Sequence, residues 1–551
     1  MKSDSHQHST VDSCVIIDLP RRIGENGCLT EVENTSVVPF DIKRVYYIYD
    51  LPADTGRGGH SHYECESLLV AVSGSFDVTL HDGCKQKTVT LDRPYKALYR
   101  RKGIWSTLSN FSSGAVCLSI NSEKYDEADY VRDFADFMRL TSGKCGRGKP
   151  RYPFLDLATV NAPYMEALQK AACEVIRSGY YVGGPQVEAL EQKMCEVCQT
   201  PYAVAVSNGL DALRLMLRGY MEMGRLAPGD EVIVPADTYI ATVLAVTDNG
   251  LKPVFVDTEL DTFNLSAAAI EAAITPRTKA VLLVHLYGRV CWEEDMNEIA
   301  KKHNLLILED TAQAIGAMSA NPGIFGTHAA GGLGHASGMS FYPTKNVGAL
   351  GDAGIVTTHD AELARLVRSL RDYGRSGTYA NEYKGLNCRM DPIQAAMLMV
   401  KLPYLEQENN HRRRLADIYD EMITNALVVK PKNDCNYFQL NPVWHQYVIM
   451  VKDRERFREY LLSHGVETGV HYPIPPHKQQ CYSEYNHLSM PNAERIAEEV
   501  VSLPISTCTS EQDAREISEI INNWKVYYNV DRYFLDGTGA CPNLDRSQCL
   551  D

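Results

Sequence analysis

Beyond residue 150 the chain repeats one pattern that narrows its fold sharply. Apolar runs at Glu231 to Pro235, Lys279 to Leu286, Leu305 to Leu308 and Gly354 to Thr358 alternate with amphipathic stretches. Strands alternating with helical segments predict a parallel sheet covered by helices. Residues 13 to about 140 read differently. Short apolar runs such as Leu68-Leu69-Val70-Ala71-Val72 are broken by Ser73-Gly74 and by Asp82-Gly83. Many short strands with turn signals suggest a sandwich or jelly roll. Between the two patterns, Thr141-Ser142-Gly143-Lys144-Cys145-Gly146-Arg147-Gly148-Lys149-Pro150 is rich in glycine and charge and reads as a linker. A chain of 551 residues is too long for one ordinary core. The expected organisation is multidomain: an all-β domain over 13–140, a linker over 141–152, an α/β domain over 153–530 and a polar tail over 531–551.

Composition excludes several classes. A hydrophobic fraction of 44% with 23% charged residues describes a soluble globular protein, and a net charge of -15 argues against a broad nucleic-acid surface. No run approaches the roughly 18 apolar residues of a membrane span. The polar first dozen residues, with His6 and His8, read as a tail rather than a signal or metal site. The 16 cysteines are scattered, with no secretory segment, so reduced thiols in a cytoplasmic protein are expected. Cys195 and Cys198 form a lone CxxC among Val187, Leu190, Met194 and Val197, which recur at helical spacing; ordinary helix residues are expected rather than a redox or zinc site.

The chemistry centres on Lys345, in Ser340-Phe341-Tyr342-Pro343-Thr344-Lys345-Asn346, with Glu309-Asp310-Thr311-Ala312-Gln313 upstream. A lysine able to form a Schiff base and an aspartate able to hold a pyridinium nitrogen are the two protein groups that pyridoxal 5'-phosphate chemistry needs most. Asp310 follows an apolar run, at the carboxyl end of a strand, where open α/β sheets bind ligands. Lys345 is also the natural base for moving a proton at the substrate carbon. The turn Asn208-Gly209 opens a helical segment whose N-terminus suits a phosphate, and Ser340 adds a hydroxyl. Each residue alone has a plainer reading: an Asp as a helix cap, a Lys as a solvated loop residue, a glycine turn as just a turn. The combination reverses that balance.

The stretch from Pro153 to Trp524 resembles the DegT/DnrJ/EryC1/StrS family of pyridoxal-phosphate aminotransferases acting on nucleotide-linked keto sugars. The segments that carry it run in family order: Pro153-Phe154-Leu155-Asp156-Leu157, Ser207-Asn208-Gly209-Leu210-Asp211-Ala212-Leu213, His285-Leu286-Tyr287-Gly288, the aspartate and lysine segments, and Gly385-Leu386-Asn387-Cys388-Arg389-Met390-Asp391. The resemblance implies the α/β fold of type I pyridoxal-phosphate enzymes. It implies that Gln313 reaches the cofactor's phenolic oxygen, that Tyr239 stacks on its ring, and that Asn387 reaches its phosphate across the interface of a homodimer. It also implies L-glutamate as amino donor. Relatives that dehydrate sugars carry histidine where Lys345 stands, so the resemblance favours transamination. His285 is either a group near the cofactor or a satisfied histidine at a strand end.

The first half resembles the small cupins that act as 3,4-ketoisomerases on dTDP-4-keto-6-deoxyglucose. The segments are Ile42-Lys43-Arg44-Val45-Tyr46-Tyr47-Ile48-Tyr49, Arg57-Gly58-Gly59-His60-Ser61-His62 and Tyr125-Asp126-Glu127-Ala128-Asp129-Tyr130-Val131-Arg132. His60 and His62 with Glu66 also fit the first metal motif of cupins. The second motif would place a histidine after Trp105, where this chain has Ser106, so no metal is expected. In a strand His60 and His62 project to one face, as an acid/base pair requires. Such a pair can take the proton from carbon 3, made acidic by the neighbouring ketone, and return it to carbon 4. Arg57 and Arg44 are candidates for the nucleotide phosphates, and Tyr46 for the sugar site. The chain departs from the galacto-producing relatives at three places in or near that site: Asn26-Gly27 for Arg-Gly, Glu66-Ser67 for Glu-Gln, and Trp105-Ser106 for Trp-His.

Together the two resemblances imply consecutive steps from a dTDP-linked keto sugar to a dTDP-3-amino-3,6-dideoxyhexose. The alternative is a working aminotransferase carrying a non-catalytic cupin that binds sugar or promotes dimerisation.

Overall fold

The computed structural model describes residues 9–24, 27–33, 37–50, 57–141, 150–432 and 442–525, with the side chains of 57, 58, 135, 136, 138 and 139 left out. Asn26, residues 142–149 of the expected linker and the tail over 531–551 lie outside the described residues. The chain forms two compact units, Met1–Lys149 and Pro150–Asp551.

The first unit consists chiefly of two five-stranded antiparallel sheets. One runs Val15–Asp18, Lys96–Arg100, Ser67–Ser73, Val116–Asn121, Arg44–Ile48; the other runs Tyr130–Val131, Arg57–His62, Trp105–Ser109, Phe76–His81, Gln86–Leu91. Alternation builds the core between them: Phe76, Val78 and Leu80 point inward from one sheet and meet Leu69, Leu98 and Cys117 of the other. The Asp82-Gly83 turn closes as its residue types predict. Asp82 Oδ1 accepts the N–H groups of Cys84 and Lys85 at 2.8 and 2.7 Å, and Gly83 takes φ +96°. Cys84, in this same turn, is disulfide-bonded. This departs from the expectation of reduced thiols throughout; the other described cysteines are free.

The second unit holds a seven-stranded sheet in the order Tyr202–Val206, Gly354–Thr358, Ala336–Ser340, Leu306–Asp310, Thr278–Val284, Glu231–Pro235, Lys252–Val256. It is not wholly parallel, as the pattern had predicted: Gly354–Thr358 runs antiparallel to both neighbours. A parallel return needs a crossover of a dozen or more residues, usually a helix. Residues 341–353 form no helix, so the chain turns straight back, and this short connection carries Lys345. Helices such as Gly209–Glu222 and Ala361–Leu370 cover the sheet through a core that includes Leu213, Leu217, Leu363 and Val367. A second core gathers Tyr419, Tyr447, Phe457 and Ile517 around the small sheet of Tyr447–Met450 and Val500–Leu503. The CxxC pair falls on the helix Pro185–Cys198, with Cys198 fully buried. No helix among the described residues is long and apolar enough to cross a membrane.

Candidate active sites in the two units

In the second unit, the carboxyl ends of several strands converge on a cavity of about 510 Å³. Asn208, Gly209, Tyr239, Asp310, Gln313, Ser340 and Lys345 all line it. Asp310 is the last residue of Leu306–Asp310, while Asn208 caps the helix that follows Tyr202–Val206. Asn208 Oδ1 accepts the Asp211 N–H at 2.8 Å, which leaves the first-turn N–H groups of Gly209 and Leu210 as the unsatisfied donors a helix start presents. Gly209 lies so close to Ser340 that an added Cβ would sit 2.6 Å from the serine Cβ.

Charge in this cavity is set by burial. The Lys345 amine is pushed down to about 8, because burial penalises the ammonium more than the Asp310 carboxylate stabilises it. Burial raises Asp310, opposed by the Thr242 hydroxyl, the Ala312 N–H and the Lys345 charge. Thr242 Oγ1 donates to Asp310 Oδ2 at 2.8 Å, and Ala312 N–H donates to Oδ1 at 3.1 Å. Gln313 Oε1 accepts the Tyr287 N–H at 2.6 Å, and its Nε2 donates to the Tyr472 hydroxyl at 3.0 Å. Tyr239 presents its ring 5.2 Å from that of Tyr472. Two more imidazoles stand near Lys345: burial and the lysine charge hold His471 down at about 4 and His445 well below its ordinary value.

His285 does not line the cavity. Its Nδ1 accepts the Cys291 N–H at 3.0 Å, so Nε2 carries the proton that Glu309 receives at 2.8 Å. Glu309 also accepts the N–H groups of Gly331 and Gly334, at 2.9 and 2.8 Å. The pair braces the strand end that presents Asp310. Asn387 is exposed and does not line the cavity of its own chain; its backbone bridges to Asp372. Thr242, Tyr472, His445 and His471 were not found from sequence. Thr242 lies one helical turn from Tyr239, the only local signal among them.

The donor set fits pyridoxal 5'-phosphate: an amine able to shed its proton, a buried carboxylate for a pyridinium, a helix N-terminus with a hydroxyl for the phosphate, and a cavity of matching size. Fold and cavity define a pyridoxal-phosphate-dependent aminotransferase. The chain belongs to the DegT/DnrJ/EryC1/StrS aminotransferase family, whose model matches residues 164–522. It is 46% identical over 372 residues to the dTDP-3-amino-3,6-dideoxy-alpha-D-galactopyranose transaminase of Aneurinibacillus thermoaerophilus, covering 68% of this chain and 99% of that one. Among solved structures it is similar to DesV of S. venezuelae, with a TM-score of 0.63, 38% identity and coverage of 68% of this chain and 99% of DesV. It is also similar to NtdA of Bacillus subtilis with bound cofactor PMP, with a TM-score of 0.61, 30% identity and coverage of 68% and 86%. The first unit matches a separate family, described as WxcM-like, C-terminal, over residues 12–142.

In that cupin-like unit, His60 and His62 come from the strand Arg57–His62, their rings 4.9 Å apart and edge to face. The Tyr130 ring lies 5.1 Å from His60 and 4.2 Å from His62. His62 is 3% exposed, with Nδ1 2.9 Å from Asp129 Oδ2. Asp129 favours the imidazolium, but burial, then the Arg100 charge, then His60 oppose it, and the ring is pushed down to about 2. His62 is therefore a neutral imidazole. Arg44 reaches the Tyr130 hydroxyl at 3.3 Å and lies over the Tyr46 ring at 5.4 Å. Tyr46 and Arg44 face inward while Val45 and Tyr47 are exposed. The side chain of Arg57 lies outside the described residues.

Glu66 does not join the histidines as the metal motif would require: it accepts the Tyr99 hydroxyl at 2.7 Å and pairs with Arg101 at 3.1 Å. Among the described residues, the side chains close enough to share an ion are instead His62, Cys65 and Asp129, with ligand atoms within 4.8 Å of one another. The nearby Arg100 charge, felt by His62, works against a divalent cation there.

Proposed function

We propose that the chain carries out two consecutive reactions on one sugar nucleotide. The first unit isomerises dTDP-4-keto-6-deoxyglucose to a dTDP-3-keto-6-deoxyhexose. The second aminates carbon 3, with glutamate as donor, to give a dTDP-3-amino-3,6-dideoxyhexose. The carrying observation is the inward-facing pair His60 and His62, with Asp129 behind His62, in a chain whose other unit is an aminotransferase. The name of the A. thermoaerophilus relative supports the 3-amino sugar as product.

In the isomerase step, Asp129 holds the proton of His62 on Nδ1 and leaves Nε2 free to act as base. A neutral imidazole takes the proton from carbon 3 and an enediol forms; the histidine pair then returns a proton to carbon 4. Arg44 and Arg57 hold the phosphates, and Tyr46 lines the sugar site.

In the amination, the bound cofactor supplies the electron sink. Lys345 moves the proton at the sugar carbon, its amine free to do so because burial lowers its proton affinity. With the cofactor bound, Asp310 would hold the ring nitrogen's proton, Tyr239 would pack on the ring, and Gln313 would serve the phenolic oxygen. Gly209, Asn208 and Ser340 hold the phosphate. Asn387, exposed and outside its own cavity, completes the site of a second copy, which makes the working form a homodimer. Holding both activities on one chain raises the local concentration of a labile intermediate.

The test is His60→Asn. It should abolish the 3-amino product from the 4-keto sugar and leave amination of a supplied 3-keto sugar intact. Survival of both reactions overturns the acid/base assignment. A wild-type protein that aminates only the supplied 3-keto sugar makes the first unit a non-catalytic sugar-binding module.

A further inference from the structure

The two serines at which the first unit departs from its relatives, Ser67 and Ser106, share one partner. Arg100 Nη2 donates to Ser67 Oγ at 2.8 Å and Nη1 donates to Ser106 Oγ at 2.6 Å. Ser67 and Arg100 are directly opposite on neighbouring strands of one sheet; Ser106 belongs to the other sheet and is directly opposite His60. The guanidinium therefore crosses the interior between the sheets and ends beside the histidine strand. The hydroxyl-sized side chains at 67 and 106 leave room for it.

Arg100 is only 3% exposed, yet no carboxylate pairs with it among the described residues. Ser67 passes its own proton to Asn121 Oδ1 at 2.9 Å, so the network behind the guanidinium is neutral. The thiols that feel its charge, Cys14 and Cys117, provide no counter-ion, since burial raises both, Cys117 to about 12. A buried cation with only neutral partners is costly, and persists most readily where an anion forms during function.

We propose that Arg100 is a catalytic residue of the first unit, stabilising the oxyanion that develops on the sugar carbonyl oxygen as the histidine pair removes the neighbouring proton. The inference rests on the isomerase reading above. The bonds balance without any external oxidant: the carbon 3 to hydrogen bond breaks, its electron pair forms the carbon 3 to carbon 4 double bond, and the carbonyl electron pair moves to the carbon 4 oxygen opposite Arg100. Protonation of the carbon 4 oxygen gives the enediol; protonation of carbon 4 and loss of the proton from the carbon 3 hydroxyl then leave the ketone on carbon 3 and a hydroxyl on carbon 4. Arg100 thus places a fixed positive charge near the position where the second histidine of a metal-binding cupin would stand.

The experiment follows uptake of solvent deuterium at carbon 3 of dTDP-4-keto-6-deoxyglucose by proton NMR, without glutamate, in full-length wild type, Arg100→Gln and Arg100→Lys. Wild type should exchange. Arg100→Gln should lose about 10²–10³-fold in kcat and Arg100→Lys about 10-fold or more, with KM nearly unchanged and the melting temperature of the first unit retained. Wild-type kcat in either folded variant overturns the role of Arg100 and leaves the isomerase reading standing. A fall in kcat that merely tracks a lowered melting temperature across both variants also overturns it, in favour of a brace between sheets. Absence of exchange in the wild type removes the isomerase reading itself.

Discussion

Thr242 gives its hydroxyl proton to Asp310 Oδ2 at 2.8 Å, and Thr238 lies 2.8 Å behind Thr242 to supply the next hydrogen bond in line. Burial raises the Asp310 carboxyl, and a side chain in the first turn of the helix Ile240–Thr247 opposes that rise with a hydrogen bond to the carboxylate proposed to hold a pyridinium. Thr242→Val keeps the shape and removes the donor. An unsatisfied buried acceptor costs about 1–3 kcal/mol, so pyridoxal phosphate should bind about 10–100-fold more weakly, checked by absorbance titration of the cofactor-free protein.

Lys345 gives a pH signature. With its proton affinity lowered from 10.5 to about 8, the fraction of neutral amine in the cofactor-free protein should rise with a midpoint near 8. The rate of cofactor uptake, measured by stopped-flow absorbance, should follow that curve; a midpoint above 10 would place the amine in solvent. The stability effect has the same origin. The fold disfavours the ammonium, so the penalty is constant below about 8 and is relieved as pH rises toward 10.5.

Gly209 tests the phosphate end of the cavity. An added Cβ would stand 2.6 Å from Ser340 Cβ and 3.2 Å from its Cα, so the helix start or the strand end must move. Gly209→Ala should cost about 1–3 kcal/mol of stability and weaken inorganic phosphate as a competitor of cofactor binding, both readable by thermal shift.

Asp237 is a buried carboxyl whose Oδ2 has no hydrogen-bond partner among the described residues. Burial, and then the Asp257 charge, raise it from 3.8 to about 8. The folded protein keeps this proton while the unfolded chain loses it, so the stabilisation is complete below 3.8 and is lost as pH rises toward 8. Asp237→Asn cannot titrate. It should be more stable than wild type at pH 7 by on the order of 2 kcal/mol, with the gap closing near pH 4, as urea unfolding across that range would show.

What the sequence made legible follows its local signals. The strand around Leu68 to Val72, the Asp82-Gly83 turn and the helix opening at Asn208-Gly209 each depend on neighbours a few residues away, and each appears in the structure. Lys345 and Asp310 were brought to one cavity by strand and loop chemistry readable in their own segments. The antiparallel strand Gly354–Thr358 was not legible, because its direction depends on the absence of a helix in the preceding connection rather than on its own composition. Glu66 looked like a ligand from spacing alone, but Tyr99, on another strand, and Arg101, just past that strand's end, take it up. Arg100 carried no motif at all: its meaning comes from two serines on two sheets, a relation that exists only once the sheets face each other.

The central claim is that one chain moves a ketone and then replaces it with an amine. The most direct measurement is the NMR structure of the sugar formed when the full-length protein, loaded with pyridoxal phosphate, is incubated with dTDP-4-keto-6-deoxyglucose and glutamate. A product with the amine on carbon 3 is the predicted result. An amine on carbon 4, or unchanged keto sugar, would contradict the account.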